Sequence, residues 1–336
     1  MTGGSALSIN IDGYIVQGLL HASFNTTNCY SADTFSITFA IGSAPLSDLA
    51  FWSSLTSSYV EVSTVLASGS ALETVISGMI DNIVIDPIGG SVAIEGRDLS
   101  ASLIDCCRQQ DFVNQTASEI VAAIGQYHGL TTVASTTSTN VGRYYVDGYT
   151  RLSLGQFSRL RSDWDLVVQL ARENRFDAFV VGRTLYFQDP TGTNELVLPI
   201  DKGDVKKLTV ERSLNIGAAP SAQVQSWNSQ NMAPYSSDGH GASASIAGNN
   251  NYLFSSSNFT PQQVLETAAR YTSEITRLST VLNLEMPWDF SYSSRSRILL
   301  TGTASILDTT YMIDSVERHH DTRFGSNQII RAIGID

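Results

Sequence analysis

The sequence lacks any apolar run long enough to cross a bilayer, and its first residues show neither a basic stretch nor the apolar core that directs secretion. A soluble chain not exported by that route is expected, without a membrane anchor. Cysteine is scarce, with only Cys29, Cys106 and Cys107. The adjacent pair is badly placed to bridge to itself, and an odd, sparse count fits a reducing compartment rather than a disulfide framework. The sequons at Asn25, Asn114 and Asn258 therefore carry no weight. Positive charge is also short: 20 basic against 32 acidic residues leave a formal charge of −12. That argues against holding nucleic acid through its phosphates, because each counterion released needs a cation on the protein. Nucleophile-elbow serine, zinc-ligand spacing and phosphate-binding glycine loop are missing too. No Cys/His pair or paired carboxylates stand in an added domain of hydrolase size. The reading is no enzyme, no cofactor and no metal.

What is present is strand and helix periodicity over 336 residues, 42% of them hydrophobic, enough for two or three domains with cores of their own. The two periods meet at Ser162 to Pro190. Ser162 with Asp165 predicts a capped helix whose Trp164, Val167, Val168, Leu170 and Ala171 share an apolar face. Asn174 and Arg175 end it, Asn being tolerant of a left-handed cap. A strand pair follows, Phe176 to Val181 and Thr184 to Phe187, turning at Gly182 and Arg183.

Before this stretch, residues 1–105 alternate like a half-buried sheet. Leu7, Ile9 and Ile11 share one face, and Phe35, Ile37, Phe39 and Ile41 another. Gly96 is read as releasing a strand, and Asp98 as capping a short helix through Ile104. Residues 106–204 change pattern: Thr116 and Glu119 form a capping box, Gly129 closes that helix, and Thr131 to Asn140 reads as a loop or exposed edge strand. Residues 205–336 return to strands. From Gln230 to Asn258 they are dominated by Ser, Asn, Gly and Ala, which reads as a surface loop, followed by a helix capped at Thr260, so that a loop and helix are inserted at about 230–278. Met79, Ile80, Asp81, Asn82, Ile83 is echoed by Met312, Ile313, Asp314, Ser315, Val316, near the end of each strand-rich segment.

Asp163, Trp164, Asp165, then Leu170, Ala171 and the hairpin ending Leu185, Tyr186, Phe187 resemble the central domain of phage tail baseplate hub proteins, the family also called late control protein D. Ala32 to Phe35 and Glu95 to Asp98 are similar to hub signatures. Tyr311, Ile313, Ser315, Val316 and His319 resemble the closing strand of hub proteins and of type VI secretion spike proteins. The resemblance marks Asp33, Phe35, Gly96, Arg97, Asp98, Trp164, Asp165, Tyr311, Val316 and His319 as structural positions. The family usually shows Gly near Asn174 and Arg175; here the turn relies on Asn or on tertiary support. The fold implied is α+β, mainly β: two barrel-like tail-tube-type β modules, 1–105 and 205–336, separated by a small mixed α/β domain, 106–204. The role implied is a virion protein, a homotrimeric baseplate hub joining the hexameric tail tube to the central trimeric spike. Wedge components would be neighbours, DNA would pass through the channel without specific binding, and assembly would take place in the host cytoplasm.

His319, His320 and Asp321 are the best metal or acid/base cluster, but consecutive strand residues face opposite ways. Gly239, Gly241 and Ala244 echo a dinucleotide fingerprint without its strand and helix. Trp227, Trp288, Phe290 and Tyr292, with Trp52, are core or interface anchors unless they form a sugar-binding patch, which would make the chain an acidic β-rich glycan-binding adhesin.

Overall fold

Apolar residues at every second position set the first strands. The computed structural model describes residues 7–28, 30–42, 48–65, 72–141, 143–144, 152–155, 162–189, 195–201, 203–214, 221–228, 233–239, 251–257, 259 and 261–335. In order come β1 (Leu7–Ile11), β2 (Tyr14–Ile15), β3 (Leu19–Thr27), β4 (Thr34–Ala40), the short helix α1 (Leu49–Ser54), β5 (Tyr59–Val65), β6 (Leu72–Asp86) and β7 (Ser91–Asp98). They hydrogen-bond in the order β2-β1-β5-β6-β7-β4-β3. Ile9, Ile11, Phe24, Phe35, Ile37, Phe39, Val60, Val62, Val92 and Ile94 are buried on one face as a single core. Each such side chain contributes roughly 1.5–3 kcal/mol by leaving water. Helix α1, capped by Asp48 accepting from the Phe51 N–H at 2.8 Å, drops Trp52 onto Phe39, ring centroids 5.1 Å apart.

A second core lies on the same side of the chain's division, which groups Met1–Thr193 with Met286–Arg295 and Ser315–Ile329. Its elements are α2 (Ser100–Ile104), β8 (Asp111–Val113), α3 (Ala117–Tyr127), β9 (Thr131–Ala134), β10 (Arg143–Tyr144), β11 (Leu152–Gly155), α4 (Asp163–Asn174), β12 (Asp177–Val181) and β13 (Thr184–Gln188). Both helices begin with the capping boxes that their sequences encode, Thr116 with Glu119 and Ser162 with Asp165. Their inward faces, Ile120, Val121 and Ile124 on α3, and Trp164, Val167 and Leu170 on α4, close over Ala178, Val180, Leu185 and Phe187 of the hairpin. The Thr131 segment is an edge strand, β9, parallel to β13.

The end of α4 differs from expectation. Arg175, not Asn174, takes the left-handed conformation, at φ 59° and ψ 34°. Asn174 instead donates its side-chain amide to the Leu170 carbonyl one turn back, at 2.8 Å. An L-residue in this region is held at a cost of roughly 1–2 kcal/mol. Arg175→Gly is therefore expected to leave stability unchanged or raise it by up to about 1 kcal/mol, and Arg175→Val, β-branched, to lower it by about 1–2 kcal/mol. Urea unfolding of both variants measures this.

The other unit comprises Asn194–Glu285, Ser296–Asp314 and Ile330–Asp336. Its strands are β14 (Glu195–Pro199), β15 (Lys207–Arg212), β16 (Ser221–Asn228), β17 (Ala233–Gly239), β18 (Asn251–Ser257), then α5 (Pro261–Arg277), β19 (Thr280–Pro287), β20 (Arg297–Thr301), β21 (Thr310–Asp321) and β22 (Gly325–Gly334). Strands β21 and β22 contribute residues to both units, and Ser315–Asp321 pair with β3. Leu198, Leu282, Leu284, Ile298, Leu300, Tyr311, Ile313, Ile330 and Ala332 are buried. The strand order is β14-β20-β21-β22-β19-β15. Numbering the strands of each set by chain position, this is the order of β1-β5-β6-β7-β4-β3, although β1 with β5 is antiparallel and β14 with β20 parallel.

The Gln230 to Asn258 stretch is not simply a loop. β17 pairs antiparallel and β18 parallel to the central β16, and α5 lays Val264 and Ala268 against Val224, with Tyr235 and Phe254 packed alongside. The composition misleads because backbone hydrogen bonds to β16 on both sides replace side-chain burial for most of these polar residues. Thr260, expected as the cap of α5, and Gly241 and Ala244 lie outside the described residues.

Candidate functional site

The end of β7 is built around a close backbone approach. Phe35 and Gly96 are directly paired across β4 and β7. A Cβ on Gly96 would drive into the Met79 carbonyl and into the Phe35 ring, which is only 3% exposed. Arg97 points the other way, donating from Nε to Asp81 at 2.7 Å and from Nη2 to Asp105 at 2.7 Å. Each pairing favours the charged guanidinium, raising Arg97 above its usual pKa and lowering Asp105.

Asp98 turns inward. It does not take the cap position of α2, which falls on Leu99; its carboxylate instead accepts from the Ser100 N–H at 3.1 Å and from Ser100 Oγ at 2.5 Å. Its own N–H donates to the Asp33 carbonyl at 2.9 Å. Asp33 accepts from the Thr27 N–H at 2.8 Å. Burial raises both acids, and the neighbouring Asp33 charge helps push Asp98 up to about 7. Arg295 and Arg318 line the same recess, a cavity of about 150 Å³. That volume suits ordered water, not a substrate, which needs roughly 300 Å³ or more.

Trp164 belongs to the core of the mixed segment and is tied to Tyr30. Its indole Nε1 donates to the Tyr30 carbonyl at 3.1 Å, and Tyr30 donates its hydroxyl to the Phe176 carbonyl at 2.7 Å. Asp165 is the reciprocal partner in the α4 capping box. Val316 is buried on β21, and its carbonyl accepts from Thr26 Oγ1 at 3.3 Å. The buried Tyr311 donates its hydroxyl to the Leu307 carbonyl at 3.1 Å. His319 pairs with Glu317 at 3.0 Å, whereas His320 meets Ser326 at 2.8 Å. The structure thus brings Asp33, Phe35, Gly96, Arg97 and Asp98 together, while Trp164 is held separately, by Tyr30.

The two echoed pentapeptides fall on β6 and β21, which hold the same place in the two strand orders. In β6 the register shifts between Ile80 and Asn82; in β21 the alternation of buried residues breaks at Asp314 and Ser315. Each echoed aspartate meets an arginine of the following strand, Asp81 with Arg97 at 2.7 Å and Asp314 with Arg331 at 3.4 Å.

A polar cluster went unread in the sequence. Asp163, with its side chain 1% exposed, receives Arg108 Nε at 2.7 Å and meets His128 Nε2 at 2.9 Å. Cys106 lies in the same cluster, and its carbonyl accepts from the Asp163 N–H at 3.0 Å. Fifty-seven residues separate the first of these from the last with no repeated spacing. The one local signal is an acid in the first turn of a helix next to Trp164, on the face that must turn inward.

The aromatic candidates are mostly packed. Trp52 is 1% and Tyr292 is 2% exposed. Trp288 donates its indole N–H to the Asn327 carbonyl at 2.8 Å and lies edge-on to Phe290. Trp227 is exposed.

This architecture is that of phage tail proteins and of type VI secretion components. No known family profile and no curated protein matches the chain. Among solved structures, a tail protein from Neisseria meningitidis matches with TM-score 0.74 at 11% identity, covering 98% of this chain and 97% of that one. A tail protein of prophage MuSo2 from Shewanella oneidensis matches with TM-score 0.72 at 16% identity, covering 98% of each. A component of the E. coli type VI secretion system, itself described as similar to T4 bacteriophage tail proteins, gives 0.58 at 14%, covering 98% of this chain and 77% of that one. At such identities the likeness is one of fold. No helix among the described residues is long and apolar enough to cross a membrane.

Proposed function

We propose that the chain is a structural baseplate hub of a phage tail, acting by assembly and not by catalysis. The observation that carries this is the shared strand order of β1-β5-β6-β7-β4-β3 and β14-β20-β21-β22-β19-β15. One chain then supplies two tube-type modules, one within 1–105 and one that adds β14, Glu195–Pro199, to the strands of 205–336, and the rest of 106–204 stands between them as the mixed domain. Three chains around one axis give six like modules, matching a hexameric tail tube on one side and a trimeric spike on the other. The tail proteins that share the fold over nearly their whole length support the reading. The net charge of −12 suits a channel lining from which DNA is repelled and so passes without sticking. Wedge components would meet the outside of the ring in the virion. Asp33, Phe35, Gly96, Arg97, Asp98, Trp164, Asp165, Tyr311, Val316 and His319 serve this role as framework, holding strand register and the docking of α4.

Native mass spectrometry and electron microscopy of the assembled tail test it. The expected result is a trimer whose density shows a pseudo-sixfold ring between tube and spike. A strict monomer that never enters a tail-like particle removes the proposal. The adhesin alternative, which rests on the exposed Trp227, predicts glycan binding lost on Trp227→Ala in a protein with no place in such a particle.

A further inference from the structure

We infer that Cys106, His128 and Asp163 form a binding site for one divalent ion of the zinc class, stapling three separate segments of the mixed domain. Cys106 follows the C-terminal end of α2, His128 is the C-cap residue of α3, and Asp163 is the first residue of α4. One donor atom from each lies within 4.8 Å of the others. An ion placed about 2.0–2.3 Å from each donor spans such a triangle after a small inward movement of side chains.

The donor set is a sulfur, an imidazole nitrogen and a carboxylate oxygen. A thiolate with an imidazole selects zinc or cobalt over magnesium or calcium, which take oxygen ligands. The surroundings are those of a ligand shell already oriented. The Asp163 N–H is tied to the Cys106 carbonyl at 3.0 Å, fixing one ligand's backbone to another's. Arg108 Nε contacts Asp163 Oδ1 at 3.0 Å as well as Oδ2 at 2.7 Å. It can remain on Oδ1 when Oδ2, the oxygen now facing His128, turns to the ion. Arg108 also lies over the Tyr127 ring at 3.9 Å, so it is held as an outer partner of the carboxylate, not as an occupant of the ligand triangle. The side chains of His128 and Asp163 are 7% and 1% exposed, which shields the ion, and a water completes the fourth position. Binding replaces the S–H bond of Cys106 with a sulfur–metal bond, the thiol proton passing to buffer. His128 binds through the Nε2 lone pair of neutral imidazole: an imidazolium gives its Nε2 proton to buffer, whereas the neutral Nε2–H tautomer moves that proton to Nδ1 and releases none. Cys107, next along the chain and exposed, has no part in the triangle.

The test uses the full chain, freed of metal with a chelator and titrated with Co²⁺. One equivalent should bind with a thiolate-to-cobalt absorption band, with visible bands of four-coordinate intensity, and with proton release to a weak buffer. Cys106→Ser should lose the charge-transfer band and weaken affinity about tenfold or more, while Cys107→Ser keeps both. Zn²⁺ should raise the melting temperature of the wild type and of Cys107→Ser but not of Cys106→Ser. The serine change is nearly isosteric, so far-ultraviolet circular dichroism should show all three folded. If His128→Ala misfolds, the cysteine pair still decides. Absence of stoichiometric binding by the wild type overturns the site, as does a band that survives Cys106→Ser or vanishes with Cys107→Ser. In either case the cluster is only an Asp163 ion pair with Arg108 and His128.

Discussion

Gly96→Ala should destabilise the protein by about 3 kcal/mol or more, at the top of the range for overpacking a closed core. A methyl group there meets two obstacles at once, the Met79 carbonyl of β6 and the ring of Phe35 on β4. Neither yields easily. Phe35 belongs to the core of the first strands, and β7 is bonded on both sides, to β4 and to β6. Relief requires β7 to part from a neighbour, breaking ladder hydrogen bonds beside the register shift between Ile80 and Asn82. Phe35→Leu combined with Gly96→Ala removes only the ring from this conflict, so the double variant should recover no more than part of the loss, and it adds a core-packing cost of its own. Chemical unfolding of the two single variants and the double one gives the coupling. A Gly96→Ala protein within about 0.5 kcal/mol of wild type would show that the strands here have slack that the backbone approach denies. The same residues then explain the Phe35 and Gly96 signature as a steric lock on strand register, with no chemistry attached.

Local structure was legible where a local rule applied. Both capping boxes, the hairpin at Gly182 and the buried faces of α3, α4 and β4 follow from side-chain type and spacing. Three features were not. Asn174 and Arg175 are both possible left-handed residues by position; Arg175 takes that conformation while the Asn174 amide reaches back to Leu170 within the last turn, a choice that side-chain type alone leaves open. β17 and β18 are polar strands whose partner β16 supplies what their composition does not. The Asp163 cluster draws on residues from three elements, and no periodicity links them. Strand order itself is non-local, since β1 must find β5 and β4 must find β7 past intervening strands and a helix. The pentapeptide echo nevertheless carried information about it. Its aspartates fall where a strand irregularity turns a side chain toward an arginine on the next strand, Arg97 in one case and Arg331 in the other. Under the two-module proposal, the repeated device marks equivalent places in the two strand orders.

Stability should fall as pH rises through the range between about 4 and 7, and Asp98 should be the main cause. Its carboxyl is pushed from 3.8 up to about 7, first by burial and then by the Asp33 charge, against the hydrogen bonds from Ser100. The folded protein therefore holds a proton on Asp98 over a range in which the unfolded chain has released it. With the folded value above the unfolded one, that contribution is complete below 3.8 and is lost as pH climbs through about 7. Three units of difference correspond to about 4 kcal/mol between the ends of the window. The other charged groups at the recess act both ways: Asp33, itself raised by burial, adds to the fall, while Arg295 and Arg318 pull Asp33 down. Asp98→Asn keeps an oxygen to accept from the Ser100 N–H and carries no charge at any pH, so it should be more stable than wild type at pH 8 and show a flatter profile. Asp33→Asn should move the falling limb to lower pH by removing the charge that helps hold the Asp98 proton. Melting temperatures of the three proteins from pH 4 to pH 8 decide the matter. An Asp98→Asn profile as steep as that of wild type would place the proton elsewhere and leave Asp98 an ordinary ionised acid bonded to Ser100.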